Sequence, residues 1–495
     1  MNFYITTPLY YINDKPHIGH TYTTVAADAL ARFHRMSGRD VFFLTGTDEH
    51  GQKIYEAAKK QGMTPRELAD KNSEVYKGLW KELGISYTRF IRTTEESHRE
   101  AVTRIFRKLL ENGDLYRGEY TGCYCVHCEG YVMPDREKGH VCPDCSRSVC
   151  EISEPSYFFN IAKYRPQLEA YIKKGGFVKP DYRKNEVLNI LDSGLNDVSV
   201  TRKNVEWGIP SPTPEGYTVY VWFDALLNYL SGIGYLSDDE LFNKYWPANI
   251  QLIGKDIIKF HHIIWPSLLL ALGLPLPVTV FAHGWWTLGR DKISKSKGNI
   301  ISPRELIDGY GVDPFRFFLL REVPFGLDGE YSDESFKKRY NSDLVNDLGN
   351  LVNRTLNLVE TKTAGRIPVE SPDRELEELT AEVFPLYSKK MEEVAFSEAI
   401  EEAWKLVIHL NKFLDTTAPW REGCEKREYI LYNVMYGIRN ILLLVSPFIP
   451  SSAAAMWKML GFPGNPGEEG FGLLGKKFQG GMQTNKREII FARKK

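Results

Sequence analysis

The chain has 495 residues, 43% of them hydrophobic and 26% charged, with 63 Lys and Arg against 64 Asp and Glu. That length exceeds one ordinary core, so two to four domains of a soluble globular protein are expected. Near-neutral charge excludes a bulk-charge partner: a nucleic-acid surface would have to be a local basic cluster.

The first residues, Met1 to Thr7, carry no basic segment followed by a long apolar run, so no signal peptide is expected. Phe3 to Thr7 reads as a buried strand and Asn13-Asp14-Lys15-Pro16 as a loop. Thr21 to Met36 reads as a helix with Val25, Ala26, Ala29, Leu30 and Phe33 at helical spacing, stopped by Gly38. Asp40 to Thr45 is the next strand. This is a βαβ unit, whose ligand loop lies at the carboxyl end of its first strand.

From 116 to 210, cysteines, glycines and short aromatic strands replace the alternation and mark an insertion. Strands return at 217–223, 250–253 and 278–281. The most apolar stretch, His262 to Phe281, is interrupted by Pro266, Pro275 and Pro277 and reads as helix, turn and strand, not a membrane span. After 340 the pattern is helical, over 341–363, 376–391, 396–414 and 429–444, which indicates a separate bundle. The expected fold class is α/β: a Rossmann-type parallel-sheet domain (1–115 and 211–340), an insertion at 116–210, and an all-α domain with its tail at 341–495.

The chain has neither GxxxxGK[ST] nor GxGxxG after a strand. Two other signals remain. His17-Ile18-Gly19-His20 places two imidazoles on one face of a helix start, where amides favour an anion. The bland alternative is a pair of capping or surface histidines. Lys292-Ile293-Ser294-Lys295-Ser296-Lys297 is a basic loop between a strand and the helix opened by Ser302-Pro303. Alone it is equally a solvated charge run, but such a loop can also close over phosphates.

Cys125-Val126-His127-Cys128 and Cys142-Pro143-Asp144-Cys145 are two CxxC pairs, thirteen residues apart. Four thiolates at this spacing suit one tetrahedral Zn²⁺, with no open position for catalysis. With no secretion signal, a reducing compartment is expected rather than a disulfide framework. Asp48, at the end of the second strand, is a candidate partner for an ammonium or a helix N-cap. Val221 to Tyr229 is an apolar, aromatic run that could be core or a pocket wall.

The His-Ile-Gly-His and Lys-Ile-Ser-Lys-Ser runs resemble the HIGH and KMSKS signatures of class I aminoacyl-tRNA synthetases. Ile293 for Met is apolar for apolar. The pocket run resembles that of the methionyl-tRNA synthetases, and the resemblance covers nearly the whole chain. It implies activation of methionine by ATP, as methionyl adenylate, and transfer to the terminal adenosine of tRNA(Met), including the initiator. It implies that His17 and His20 contact ATP phosphates, that Lys292 and Lys295 stabilise the leaving pyrophosphate, and that Gly254, Lys255, Asp256 and His261 form the adenosine side. Leu9, Tyr11, Asp48, Trp222, Ala225, Leu226, Tyr229 and His283 match methionine contacts, and Ala282 stands where some members carry an aromatic. Asn350, Arg354 and Trp420 match the anticodon readers. A structural zinc on the four cysteines and Mg²⁺ with ATP are implied, with no carboxylate singled out for Mg²⁺. A monomer is expected, without the barrel some members append. A cytoplasmic location is expected, as is homocysteine rejection within the synthetic site. Another class I synthetase, or a non-catalytic tRNA-binding relative, is the alternative.

Overall fold

The computed structural model describes residues 2–13, 15–126, 129–132, 141–143, 146–192, 196–288, 291–292 and 301–494. They fall into two compact units. One comprises Met1–Pro16, Val41–Lys81 and Tyr87–His283; the other comprises His17–Asp40, Glu82–Ser86 and Gly284–Lys495. No helix among the described residues is long and apolar enough to cross a membrane.

The first unit is built on a seven-stranded sheet. Asn2–Thr6 lies at its middle, with Asp40–Asp48 on one side and Ile250–Gly254 on the other, followed by Thr279–His283 and Val178–Lys179. Tyr10–Tyr11 and Arg89–Arg92 both pair with Asp40–Asp48 in parallel. The Asp40–Asp48 strand is buried on both faces from Val41 onward, which is why it reads as a continuous apolar run rather than an alternating one. The chain leaves Asn2–Thr6 towards opposite sides of the sheet. That reversal of strand order is where open α/β sheets bind ligands.

Within the span 116–210, Leu115–Cys125, Gly130–Val132, Cys150–Phe159 and Val198–Ser199 form a separate antiparallel sheet. Val178–Lys179, by contrast, adds an edge to the parallel sheet, so this span is not wholly an insertion. The strand expected at 217–223 is also shorter. Only Thr218–Val219 pairs, with Thr201–Arg202. Tyr220 is the extended N-cap of a helix Val221–Leu226, whose first turn is closed by Asp224 N–H donating to the Tyr220 carbonyl.

In the second unit, Ile18–Met36 is buried along most of its length and ends at Ser37, before Gly38 at φ +79°. The bundle helices Asn350–Thr363, Arg374–Glu392, Phe396–Thr417 and Arg427–Val445 match their expected positions. The compact division falls at His283/Gly284, not at 340/341. Within this unit, Arg316 on the helix Val312–Arg321 joins distant segments. It is fully buried, and its guanidinium donates to Asp28 Oδ2 at 2.6 Å and to the carbonyls of Leu83, Pro447 and Phe448 at 3.0–3.1 Å. Asp28 also accepts from Arg32 at 2.7 Å and from the Ser86 hydroxyl at 2.6 Å.

Burial pushes the Asp28 carboxyl up, but Arg32 and Arg316 outweigh it and hold it below the usual carboxylate range. Its stabilising contribution is therefore present above that range and lost as pH falls through it. Arg316→Leu removes one of the two guanidinium partners of Asp28 and leaves the carbonyls of Leu83, Pro447 and Phe448 without that donor, and should lower stability by about 3–5 kcal/mol, read by chemical denaturation.

Candidate active site

Three of the sequence-predicted residues end parallel strands at the carboxyl edge of the sheet: Asp48, and, on two neighbouring strands beyond Asn2–Thr6, Gly254 and His283. Tyr11 is in register with Asp48 across the next strand pair. Asp48 is buried, and its Oδ1 has no hydrogen-bond partner among the described residues. Burial raises its carboxyl well above the usual range. Asp224, Glu129 and Glu49 push the same way, against an N–H donated by His50. A buried acceptor left open in a negative field suits a cation.

The apolar side of the site is assembled from distant segments. Leu9, Leu226 and Tyr229 share the core cluster of the sheet with Ile257 and Trp265. Tyr11 and Trp222 pack with Tyr124 and Tyr220 instead. Ala225 is buried on the Trp222 helix and its carbonyl accepts from Asn228 at 2.6 Å. Trp222 stacks on Phe260, ring centroids 3.7 Å apart and 9° between planes. The next residue, His261, is buried, and its Nε2 lies 2.8 Å from the Tyr229 hydroxyl. Its Nδ1 lies 3.1 Å from the Ile257 carbonyl. Burial pushes His261 down to about 3, so the ring is neutral. A carbonyl only accepts, so Nδ1 carries the proton, Nε2 accepts, and the Tyr229 O–H donates to it. Phe260 and His261 lie on a π-helical turn, Phe260–Ile264, a widening frequent at functional sites.

The structure thus pairs Tyr229 with His261, while His283 lies against the nucleotide-type loop. A Cβ on Gly254 would stand 3.9 Å from His283 Cε1 and only 2.6 Å from Asp256 Oδ1, so residue 254 must be glycine for Asp256 to fold back. Lys255–Ile257 follows as a single 3₁₀ turn.

In the second unit, His17 is the N-cap of Ile18–Met36, and the capping alternative is realised. His17 Nδ1 accepts from Gly19 N–H at 3.1 Å, and His20 Nδ1 accepts from His17 N–H at 3.3 Å. The rings stack at 3.8 Å. Capping does not compete with anion binding. With each Nδ1 occupied as an acceptor, the proton of each neutral imidazole sits on Nε2, a donor suited to phosphate. Lys292 is described only as the end of a short strand paired with Trp286–Leu288, and Lys295 lies outside the described residues.

Cys125 and Cys142 are buried; Cys128 and Cys145 lie outside the described residues. Cys142 sits in a tight hairpin: Val141 bridges Ser148, Ser146 N–H donates to the Cys142 carbonyl at 2.8 Å, and Ser146 has φ +57°. A buried thiol in such a turn fits the zinc-knuckle reading. Glu129, beyond the first cysteine pair, has no sequence signature, yet it is buried at φ +47° and its Oε1 accepts the Lys53 N–H at 2.6 Å.

On the bundle, the Arg354 guanidinium lies 5.4 Å from the Trp420 ring centre and 2.7 Å from Asp415 Oδ1. Trp420 is 41% exposed. Asn350 is exposed one turn before Arg354 and follows a π-helical segment, Tyr340–Gly349. The sequence-predicted trio therefore lies at one exposed place.

The family model described as tRNA synthetases class I (M) matches residues 3–151 and 147–356, and the anticodon-binding domain of tRNA ligase matches 373–483. The chain belongs to the methionine-specific class I tRNA synthetases. A methionine–tRNA ligase of Caldanaerobacter subterraneus subsp. tengcongensis is 47% identical, over 99% of this chain and 78% of that protein. One from Thermotoga maritima is 45% identical, over 95% and 77%. The fold superposes on Mycobacterium tuberculosis methionyl-tRNA synthetase in complex with methionyl-adenylate with a TM-score of 0.95, at 37% identity and covering all of both chains. For the free form of that enzyme the TM-score is 0.88, at 34% identity over 100% and 98%. The chain is a methionine–tRNA ligase of this synthetase family.

Only the ionised form of Asp48 can take an ammonium. An ammonium ligand held at Asp48 should therefore lose affinity on acidification, beginning at a pH above the ordinary carboxylate range. Methionine binding followed by tryptophan fluorescence across pH measures this.

Proposed function

We propose that the buried, open carboxylate oxygen of Asp48, opposite Tyr11, receives the methionine ammonium; this observation carries the residue assignment. Leu9, Tyr11, Trp222, Ala225, Leu226 and Tyr229 enclose the side chain, and a thioether suits such an aromatic lining. The resemblance gave His283 to methionine and His261 to the adenosine side; we assign the methionine side to His261, because it is the histidine that reaches the Tyr229 hydroxyl. His283 goes with Gly254, Lys255 and Asp256 on the adenosine side. An aromatic does precede the pocket histidine, as Phe260, although Ala282 precedes His283.

The methionine carboxylate attacks the α-phosphorus of ATP and pyrophosphate departs. No covalent enzyme intermediate is needed, so the protein's part is positioning and charge stabilisation. His17 and His20 donate from Nε2 to phosphate oxygens, and Lys292 and Lys295 neutralise the leaving pyrophosphate. Mg²⁺ accompanies ATP. The terminal adenosine hydroxyl of tRNA(Met), elongator or initiator, then attacks the adenylate carbonyl and releases AMP. Asn350, Arg354 and Trp420 read the anticodon by stacking and edge hydrogen bonds. Cys125, Cys128, Cys142 and Cys145 hold one structural Zn²⁺, which supplies folding energy and no chemistry. A cytoplasmic monomer is the form proposed.

ATP–pyrophosphate exchange across the twenty amino acids, without tRNA, tests the pocket: exchange with methionine alone is expected, and exchange with another amino acid instead would overturn the assignment. Trp420→Ala should leave this exchange unchanged and lower tRNA charging at least about tenfold, the loss of one stacked base. Equal loss in both assays would remove the recognition role.

A further inference from the structure

Beside the pocket lies a buried polar relay that the chemistry above does not use. The Asp224 carboxylate is sealed from solvent, with Oδ2 2.7 Å from His50 Nδ1 and Oδ1 2.7 Å from His98 Nε2. His98 Nδ1 is 2.7 Å from the Ser231 hydroxyl. A carboxylate only accepts, so both imidazoles donate to it. Burial pushes the Asp224 carboxyl up, but the two histidines outweigh it and hold it below the usual range.

His50 is the junction. Its backbone N–H donates to the Asp48 carboxylate. Its carbonyl accepts the Tyr11 hydroxyl at 2.8 Å. Its ring stands edge-on to Trp207, 5.4 Å away, and the next residue, Gly51, at φ +106°, donates its N–H to the Trp207 carbonyl at 3.0 Å. Asp224 lies between Trp222 and Ala225 on one short helix. One hydrogen bond, His50 to Asp224, therefore joins the carboxylate end of the pocket to its apolar wall.

We infer that His50 and Asp224 are positioning residues for methionine: their hydrogen bond fixes the backbone at residue 50 and, through it, Asp48 and Tyr11 at a set distance from the Trp222 helix. This rests on the methionine pocket proposed above. A buried carboxylate is costly where an apolar side chain would pack as well, so its saturation by two histidines marks a geometric role. A substrate gripped at its ammonium and at its side chain is selected by the separation of the two grips.

The test is Asp224→Asn in the full chain, with His98→Gln as a milder second variant, each with zinc content and circular dichroism matching the parent. In ATP–pyrophosphate exchange, the KM for methionine should rise about tenfold or more for Asp224→Asn, as for other outer-shell partners, with the KM for ATP within about twofold. Methioninol, which keeps the ammonium and side chain but cannot react, should lose affinity by the same factor. His98→Gln should shift both readouts in the same direction by a smaller factor, and carries the test alone should Asp224→Asn not fold. Parallel changes in the KM values for methionine and ATP, or no change in either, would overturn the positioning role while leaving the pocket reading intact. A parent chain that shows no methionine-dependent exchange would overturn both.

Discussion

A guanidinium that no water reaches must be neutralised and hydrogen-bonded by protein, and that requirement at Arg316 organises the unit carrying His17 and His20. A single carboxylate, Asp28, supplies the counter-charge, and three carbonyls from two remote segments take the remaining donors. Each acceptor must come to within hydrogen-bond length at once, so the helix that begins at His17 is fixed to the turn before the Pro450–Met459 helix. This interaction is strong evidence of geometric specification and weak evidence of net stabilisation, since a buried pair loses much of its attraction to desolvation.

The other unit solves a related problem with the opposite sign. Glu49, Asp224, Glu129 and Asp48 collect near the carboxyl edge of the sheet. Glu49 is saturated by Arg92, Thr47 and Thr94. Asp224 is saturated by two histidines, and Glu129 takes a helix N–H. Asp48 Oδ1 and Glu129 Oε2 are the buried oxygens of this set with no hydrogen-bond partner among the described residues. A set of carboxylates in which Glu49 and Asp224 are saturated and only Asp48 and Glu129 keep open oxygens makes a directed receptor rather than a diffuse acidic patch. It is held in place before any ligand arrives, the condition under which electrostatics contribute most.

The sequence disclosed what depends on local pattern. The βαβ opening and the four bundle helices follow from periodicity, and the roles proposed for Asp48, Trp222, Tyr229, Arg354 and Trp420 were suggested by motifs that matched a family. Relations across long separations were hidden. Asp224 is 174 residues from His50 and 126 from His98, in no shared motif, and each reads alone as an ordinary core polar residue. His261 lies beyond one strand and His283 ends the next, so position in sequence could not say which reaches Tyr229. The π-helical turn that rotates His261 into place has no compositional mark. The contacts of Arg316 were hidden for the same reason: nothing near 316 announces that its guanidinium will be buried against residues 28 and 448.

The direction of the hydrogen bond from Tyr229 to His261 governs what the tip of a bound side chain can encounter. The tyrosine has spent its only proton on a neutral imidazole whose own proton is committed to the Ile257 carbonyl. What remains at Tyr229 is lone pairs. A thioether asks for no proton there and is indifferent. Methionine sulfoxide differs by one oxygen that needs a donor, and in a dry pocket two facing lone pairs repel. On the proposed pocket reading, oxidised methionine is turned away for want of a hydrogen rather than for want of room, so the fidelity of translation under oxidative stress is written partly into the tautomer of one histidine.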